Sequence, residues 1–115
     1  MPEKILIGNE FIETESTKQV VNPYTNKSVG EVFIAGEKEL EDSLTHLEKA
    51  FKSYSKTPAY LKQELLYNIS QTVSSQKESL AKIITDETGK PIKFSRIEVE
   101  RAVFTFRLGA EECSR

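Results

Sequence analysis

Glu31-Val32-Phe33-Ile34-Ala35-Gly36-Glu37-Lys38-Glu39-Leu40 holds the change of period that decides the fold. Up to Ile34 the residues alternate as a strand does. After Gly36 the apolar positions recur at helical spacing. Leu40, Leu44, Leu47, Phe51 and Tyr54 follow at steps of four and three, one stripe on one face, with Lys and Glu filling the other.

Upstream of this point, short apolar runs alternate with turn chemistry. Ile5-Leu6-Ile7 is stopped by Gly8-Asn9, and Phe11-Ile12 follows. Gly-Asn supplies the positive φ that a two-residue hairpin turn requires. Lys18-Gln19-Val20-Val21 runs into Asn22-Pro23-Tyr24-Thr25-Asn26. The Asn-Pro pair forces an extended residue and starts a turn. Ser28 to Ile34 forms the last run, so strands are expected over about 4–35.

Downstream, helices are expected over about 37–114. Thr57-Pro58 reads as an N-cap followed by proline at the first helical position. Leu61, Leu65, Ile69 and Val73 carry the second stripe. Ser75 with Glu78 fits a capping box, which predicts a break near Ser74 and a third helix with Leu80, Ile83 and Ile84 inside. Gly89 followed by Pro91 is a helix stop. The last helix carries Ile97, Phe104 and Leu108 on one side, and Val99, Val103, Phe106 and Ala110 on another. A helix apolar over most of its girth expects cover on several sides, more than the upstream elements supply. The sequence reads as part of an α/β fold: a hairpin and short strands followed by three to four helices.

The chain has 115 residues, 37% of them apolar, with 16 basic and 18 acidic side chains. That length allows one domain at most, or a piece of one. No run of about 18 apolar residues is present, so no membrane span is expected. The mixed charge leaves no basic footprint for nucleic acid. One cysteine builds no disulfide framework. The apolar stretch near the N-terminus is too short for a secretory signal, so a cytoplasmic protein is expected. The sequons at Asn26 and Asn68 then carry no consequence.

The search for chemistry is largely negative. Gly8, Gly30, Gly36, Gly89 and Gly109 build no G-x-G-x-x-G, and Gly89-Lys90 lacks the rest of a P-loop. His46, the only histidine, reads as a solvated helix residue. Cys113 has Glu111 and Glu112 beside it at the wrong end of a helix, so it reads as structural or incidental. Two features have alternative readings. Asp86 and Glu87 fall in a last helical turn, where the dipole disfavours carboxylates. They are a solvated acidic pair or ligands for a hard cation. Arg101 points along an apolar stripe. It either pairs with Glu98 or snorkels outward, or it binds a carboxylate or phosphate at the rim of an apolar cleft.

The ordered series Ile7-Gly8-Asn9-Glu10-Phe11, Val21-Asn22-Pro23-Tyr24-Thr25, Gly30-Glu31-Val32, Ala50-Phe51, Thr57-Pro58-Ala59-Tyr60 and Glu87-Thr88-Gly89-Lys90-Pro91-Ile92 resembles the start of an aldehyde dehydrogenase. Glu98-Val99-Glu100-Arg101-Ala102 and Thr105-Phe106-Arg107 continue the likeness over almost the whole chain. Within the family it is most similar to the branch acting on lactaldehyde, phosphonoacetaldehyde and glyceraldehyde-3-phosphate without phosphorylation. The resemblance implies a chain of several hundred residues that oxidises an aldehyde to the acid with NAD or NADP. In that chemistry a cysteine thiolate attacks the aldehyde, hydride passes to the nicotinamide, and a glutamate activates water.

None of the family's catalytic residues, nor its cofactor glycines, maps onto these 115 residues, and Cys113 does not match the nucleophile. No catalytic residue, no cofactor binding and no activity are therefore expected of the chain by itself. The remainder of the fold, or a homo-oligomer partner, is the implied macromolecular neighbour. Two transfers concern this sequence. The family's monovalent cation maps to the backbone of Val20 or Val21 and to Glu87. The arginine that faces the substrate anion in relatives maps to Arg101, with Ile97 lining the same entrance. The rival reading is a non-catalytic remnant or small interaction module that binds a partner through its C-terminal apolar helix.

Overall fold

A computed structural model describes residues 1–115. The order is β1 (Ile5–Ile7), β2 (Glu10–Ile12), β3 (Thr17–Val21), β4 (Ser28–Phe33), α1 (Glu37–Tyr54), α2 (Ala59–Ser75), α3 (Lys77–Thr88) and α4 (Ile92–Glu112). This is the expected mixture of short antiparallel strands and four helices. It divides into two compact units: Met1–Asn22 with Asn26–Lys56, and Pro23–Thr25 with Thr57–Arg115. No helix is long and apolar enough to cross a membrane.

In the first unit, Gly8 and Asn9 take φ of 56° and 71°. Positive φ at both central residues gives the hairpin turn whose twist suits its strands. Ile5 pairs with Ile12, Leu6 with Phe11 and Ile7 with Glu10. Ile7 is buried, whereas Leu6 and Phe11 stand exposed. β3 pairs with β4, with a register shift between Val20 and Val21. The Asn22 amide donates to the Lys27 carbonyl at 2.9 Å, and the Asn26 amide to the Asn22 carbonyl at 2.8 Å. Asn26 closes this turn at φ 56°, a conformation that asparagine tolerates better than most residues.

Gly36 caps α1 in an extended conformation, and its amide donates to Glu39 Oε2 at 2.8 Å. Glu37 and Glu39 place negative charge at the positive end of the helix. His46 remains exposed, yet it is more than a solvated histidine: its ring lies over Gly8, where any Cβ would collide with it. The apolar stripe of α1 stands open. No residue of α1 is buried, and Leu40, Leu44, Leu47, Phe51 and Tyr54 are 49–69% exposed.

In the second unit α4 packs against both α2 and α3. Small buried residues, Ala81, Ser95 and Ala110, let the helices approach, and Val99 fills the space beside them. The buried hydroxyls are satisfied. Ser70 donates to the Val103 carbonyl at 2.9 Å, and Ser95 and Thr85 share a hydrogen bond of 2.8 Å. Three predicted details differ. α2 begins at Ala59 with Pro58 extended before it, so Thr57 lies one residue too early to cap. Pro58 supplies the first carbonyl, which accepts from the Leu61 amide at 3.2 Å. The Ser75–Glu78 capping box does not form: the break falls at Gln76, and Ser75 Oγ donates back to the Thr72 carbonyl. Ile83 is exposed, because Leu80 and Ile84, four apart, take the inner face.

Glu78 instead accepts from Arg96 Nε at 3.0 and 3.1 Å and from Arg96 Nη2 at 2.9 Å, tying α3 to α4. The guanidinium hydrogen bond, helped by its charge and that of Lys77, holds the Glu78 carboxyl below the ordinary range. A carboxylate with a lowered folded-state pKa stabilises above its unfolded value near 4.3. That stability is lost as pH falls through the lowered pKa. The stability difference between the wild-type chain and Arg96→Gln should therefore be constant from about pH 7 to 5 and disappear in stronger acid. Denaturant midpoints across that range check it, and an undiminished difference at the acid end excludes the pair as its source.

Candidate functional site

α4 starts where Pro91 (φ −59°, ψ 138°) ends the preceding turn. The Pro91 carbonyl then accepts from the Phe94 amide at 2.9 Å and the Ser95 amide at 3.4 Å. With Ser95, Val99 and Ala110 buried, the opposite side of the helix is left open. It presents Phe94, Ile97, Arg101, Phe104 and Leu108, at steps of three and four. Its four apolar residues are 44–64% exposed. The Lys93 ammonium lies 4.9 Å from the centre of the Phe94 ring.

Arg101 stands in the middle of this open face, one turn after Ile97, so the two residues singled out for substrate are together. The pairing of Arg101 with Glu98 does not occur: Glu98 is bound to Lys90, and Glu100 to Lys77. Arg101 makes no ion pair, and the arrangement sets an unneutralised guanidinium among apolar side chains. A planar donor fork in such surroundings suits a carboxylate, sulfonate or phosphate. Phe94 was missed in the sequence. The steps 94, 97, 101, 104 and 108 were the signal for it.

The residues singled out for a cation are spread over both units. Val20 and Val21 stand at the irregularity of β3, Val20 half-buried and Val21 exposed. Glu87 is exposed in the last turn of α3. Asp86 is taken by Lys82 at 2.6 Å. Nowhere do three His, Cys, Asp or Glu side chains gather. Cys113 is half-buried, and its thiol donates to the Gly109 carbonyl at 3.3 Å.

Gly89 ends α3 in the left-handed region, at φ 71°. A Cβ there would meet Tyr24 Cβ at 3.0 Å, the Tyr24 amide nitrogen at 3.1 Å and Pro23 Cγ at 3.2 Å. The Asn-Pro-Tyr turn and the Gly-Lys-Pro turn therefore pack directly on each other. Two of the stretches that carry the family resemblance thus form one structural contact.

A nicotinamide dinucleotide does not fit the residues present. Both sheets are antiparallel pairs, and no strand leads through a glycine-rich turn into a helix. The crevice at the carboxyl ends of parallel strands, where dinucleotides bind, is not built here.

Residues 11–115 match the model of the aldehyde dehydrogenase family. The chain is 32% identical over 106 residues to a lactaldehyde dehydrogenase of Methanocaldococcus jannaschii, covering 92% of this chain and 23% of that protein. It is 33% identical over 102 residues to a malonate-semialdehyde dehydrogenase of Bacillus pumilus, covering 87% and 21%. Among solved structures it superimposes on HpcC of Thermus thermophilus with a TM-score of 0.92 at 26% identity, covering 96% of this chain and 22% of the other. The chain thus spans between a fifth and a quarter of these relatives' length and forms part of their fold. It belongs to the aldehyde dehydrogenase family.

Proposed function

We propose that these residues are the N-terminal segment of a cytoplasmic, NAD(P)-dependent aldehyde dehydrogenase, supplying scaffold and one wall of the substrate entrance. The observation that carries this reading is the match of residues 11–115 to the family at about a fifth of its members' length. The catalytic and cofactor residues then belong to the remainder of the fold, which is the chain's principal partner. Arg101 is the anion-binding residue of the entrance, with Ile97 beside it. The substrate is a small anionic or hydroxylated aldehyde. The names of two relatives support that choice: lactaldehyde carries a hydroxyl, and malonate semialdehyde a carboxylate. Glu87 and the backbone of Val20 or Val21 are proposed to bind a monovalent cation in the complete enzyme.

The test has two parts. Titration calorimetry of the 115-residue chain with NAD and NADP should show no binding, and micromolar affinity for either would overturn the assignment. A chimera in which this chain replaces the matching 106 residues of the M. jannaschii lactaldehyde dehydrogenase should reduce NAD(P) with aldehyde. A folded chimera that binds the cofactor but leaves every aldehyde untouched would count against the scaffold role.

A further inference from the structure

Arg101 has a single carboxylate within reach along its own helix. The positions three and four residues away are Ile97, Glu98, Phe104 and Thr105. Glu98 alone among them is charged, and a carboxylate three residues from an arginine ordinarily pairs with it on an open helix face. Here it does not, because Glu98 binds the Lys90 ammonium. Glu100, the immediate neighbour of Arg101, leaves the helix on another side and binds Lys77.

Lys90 reaches Glu98 from outside the helix, and the turn that carries it is well fixed. Gly89 before it leaves α3 in the left-handed region, and Pro91 after it begins α4. The Gly89 backbone lies against Pro23 and Tyr24. The Lys90 amide donates to Thr88 Oγ1 at 3.4 Å. Lys90 is also the least exposed of the four lysines that form ion pairs. A pair partly withdrawn from solvent is screened less than one in open water.

We propose that Lys90 is a positioning residue of the substrate entrance: by holding Glu98 it keeps the Arg101 guanidinium open to the anionic group of the substrate, and so sets the preference for anionic over neutral aldehydes. Lys90 has this role only if Arg101 lines the entrance, as proposed above. Without the ammonium, Glu98 turns to Arg101, and an anionic substrate then has to displace a carboxylate before it binds. A neutral aldehyde has no such competitor. The Gly-Lys-Pro turn thereby acts on specificity without touching the substrate.

The experiment compares malonate semialdehyde with lactaldehyde in the chimeric enzyme described above. Lys90→Met should raise KM for malonate semialdehyde about two- to fivefold, the size of one partly exposed ion pair, with kcat nearly unchanged. Lactaldehyde should be far less affected. Lys90→Arg, which keeps the charge, should behave as the parent. The deciding variant is Lys90→Met with Glu98→Gln, which removes the competing carboxylate and should restore KM. A loss that persists in this double variant overturns the proposal, because Lys90 then acts by its own charge. So does a Lys90→Met variant that affects both aldehydes alike, or one without effect while Arg101→Leu still discriminates between them. Failure of the underlying reading is separately visible: Arg101→Leu then impairs both aldehydes equally, and the role of Lys90 falls with it.

Discussion

Gly89→Ala is expected to destabilise the helical unit by about 3 kcal/mol, the combined size of a non-glycine left-handed residue and an overpacked contact. Two independent costs meet at this position. The backbone sits at φ 71°, where a Cβ crowds its own chain. The new methyl also presses on the Tyr24 backbone nitrogen and on the Pro23 ring, neither of which swings aside as a flexible side-chain tip does. Denaturation followed by helical circular dichroism measures the effect. Gly30→Ala is the control, since a Cβ there meets nothing within 4 Å. Equal midpoints for the two variants would show that the Asn-Pro and Gly-Lys-Pro turns do not hold each other.

Arg101→Leu should lower kcat/KM for anionic aldehydes by a factor of roughly ten to a hundred in the chimeric enzyme, corresponding to about 1.5–3 kcal/mol for a charged hydrogen bond. Neutral aldehydes of the same size should be far less affected. The loss should fall mainly on KM, because a guanidinium holding a remote anion binds ground state and transition state alike. Glu98 and Glu100 are already bound to Lys90 and Lys77, which leaves the Arg101 guanidinium without an ion pair. Lys90→Met gives the converse check. It frees Glu98, three residues before Arg101, to neutralise the guanidinium, and should reproduce part of the loss. Equal effects of Arg101→Leu on charged and neutral substrates would remove Arg101 from the entrance.

What was legible in the sequence was local. Gly8-Asn9 has one comfortable conformation, and the hairpin forms there. Gly89 before Lys90-Pro91 stops α3 in the left-handed cap that this pattern specifies. The change from period two to period 3.6 at Gly36 marks the passage from strands to helices. Capping was less legible. Ser75 and Glu78 have the spacing of a capping box, but a bidentate arginine 18 residues downstream takes Glu78. Thr57 has the right chemistry one residue early, because Pro58 supplies the first carbonyl.

The residues by themselves determined where elements begin and end and which faces are apolar, since backbone sterics and side-chain spacing act over a few positions. Only the tertiary structure decided which apolar faces are covered. The stripe of α1 stays open, whereas α4 is covered on the side of α2 and α3 and keeps Phe94, Ile97, Phe104 and Leu108 outside. It also decided the state of Arg101, through the lysines that took its neighbouring carboxylates. The physical reason is that burial and charge pairing belong to pairs of surfaces brought together by folding, and periodicity within one helix describes only one member of each pair.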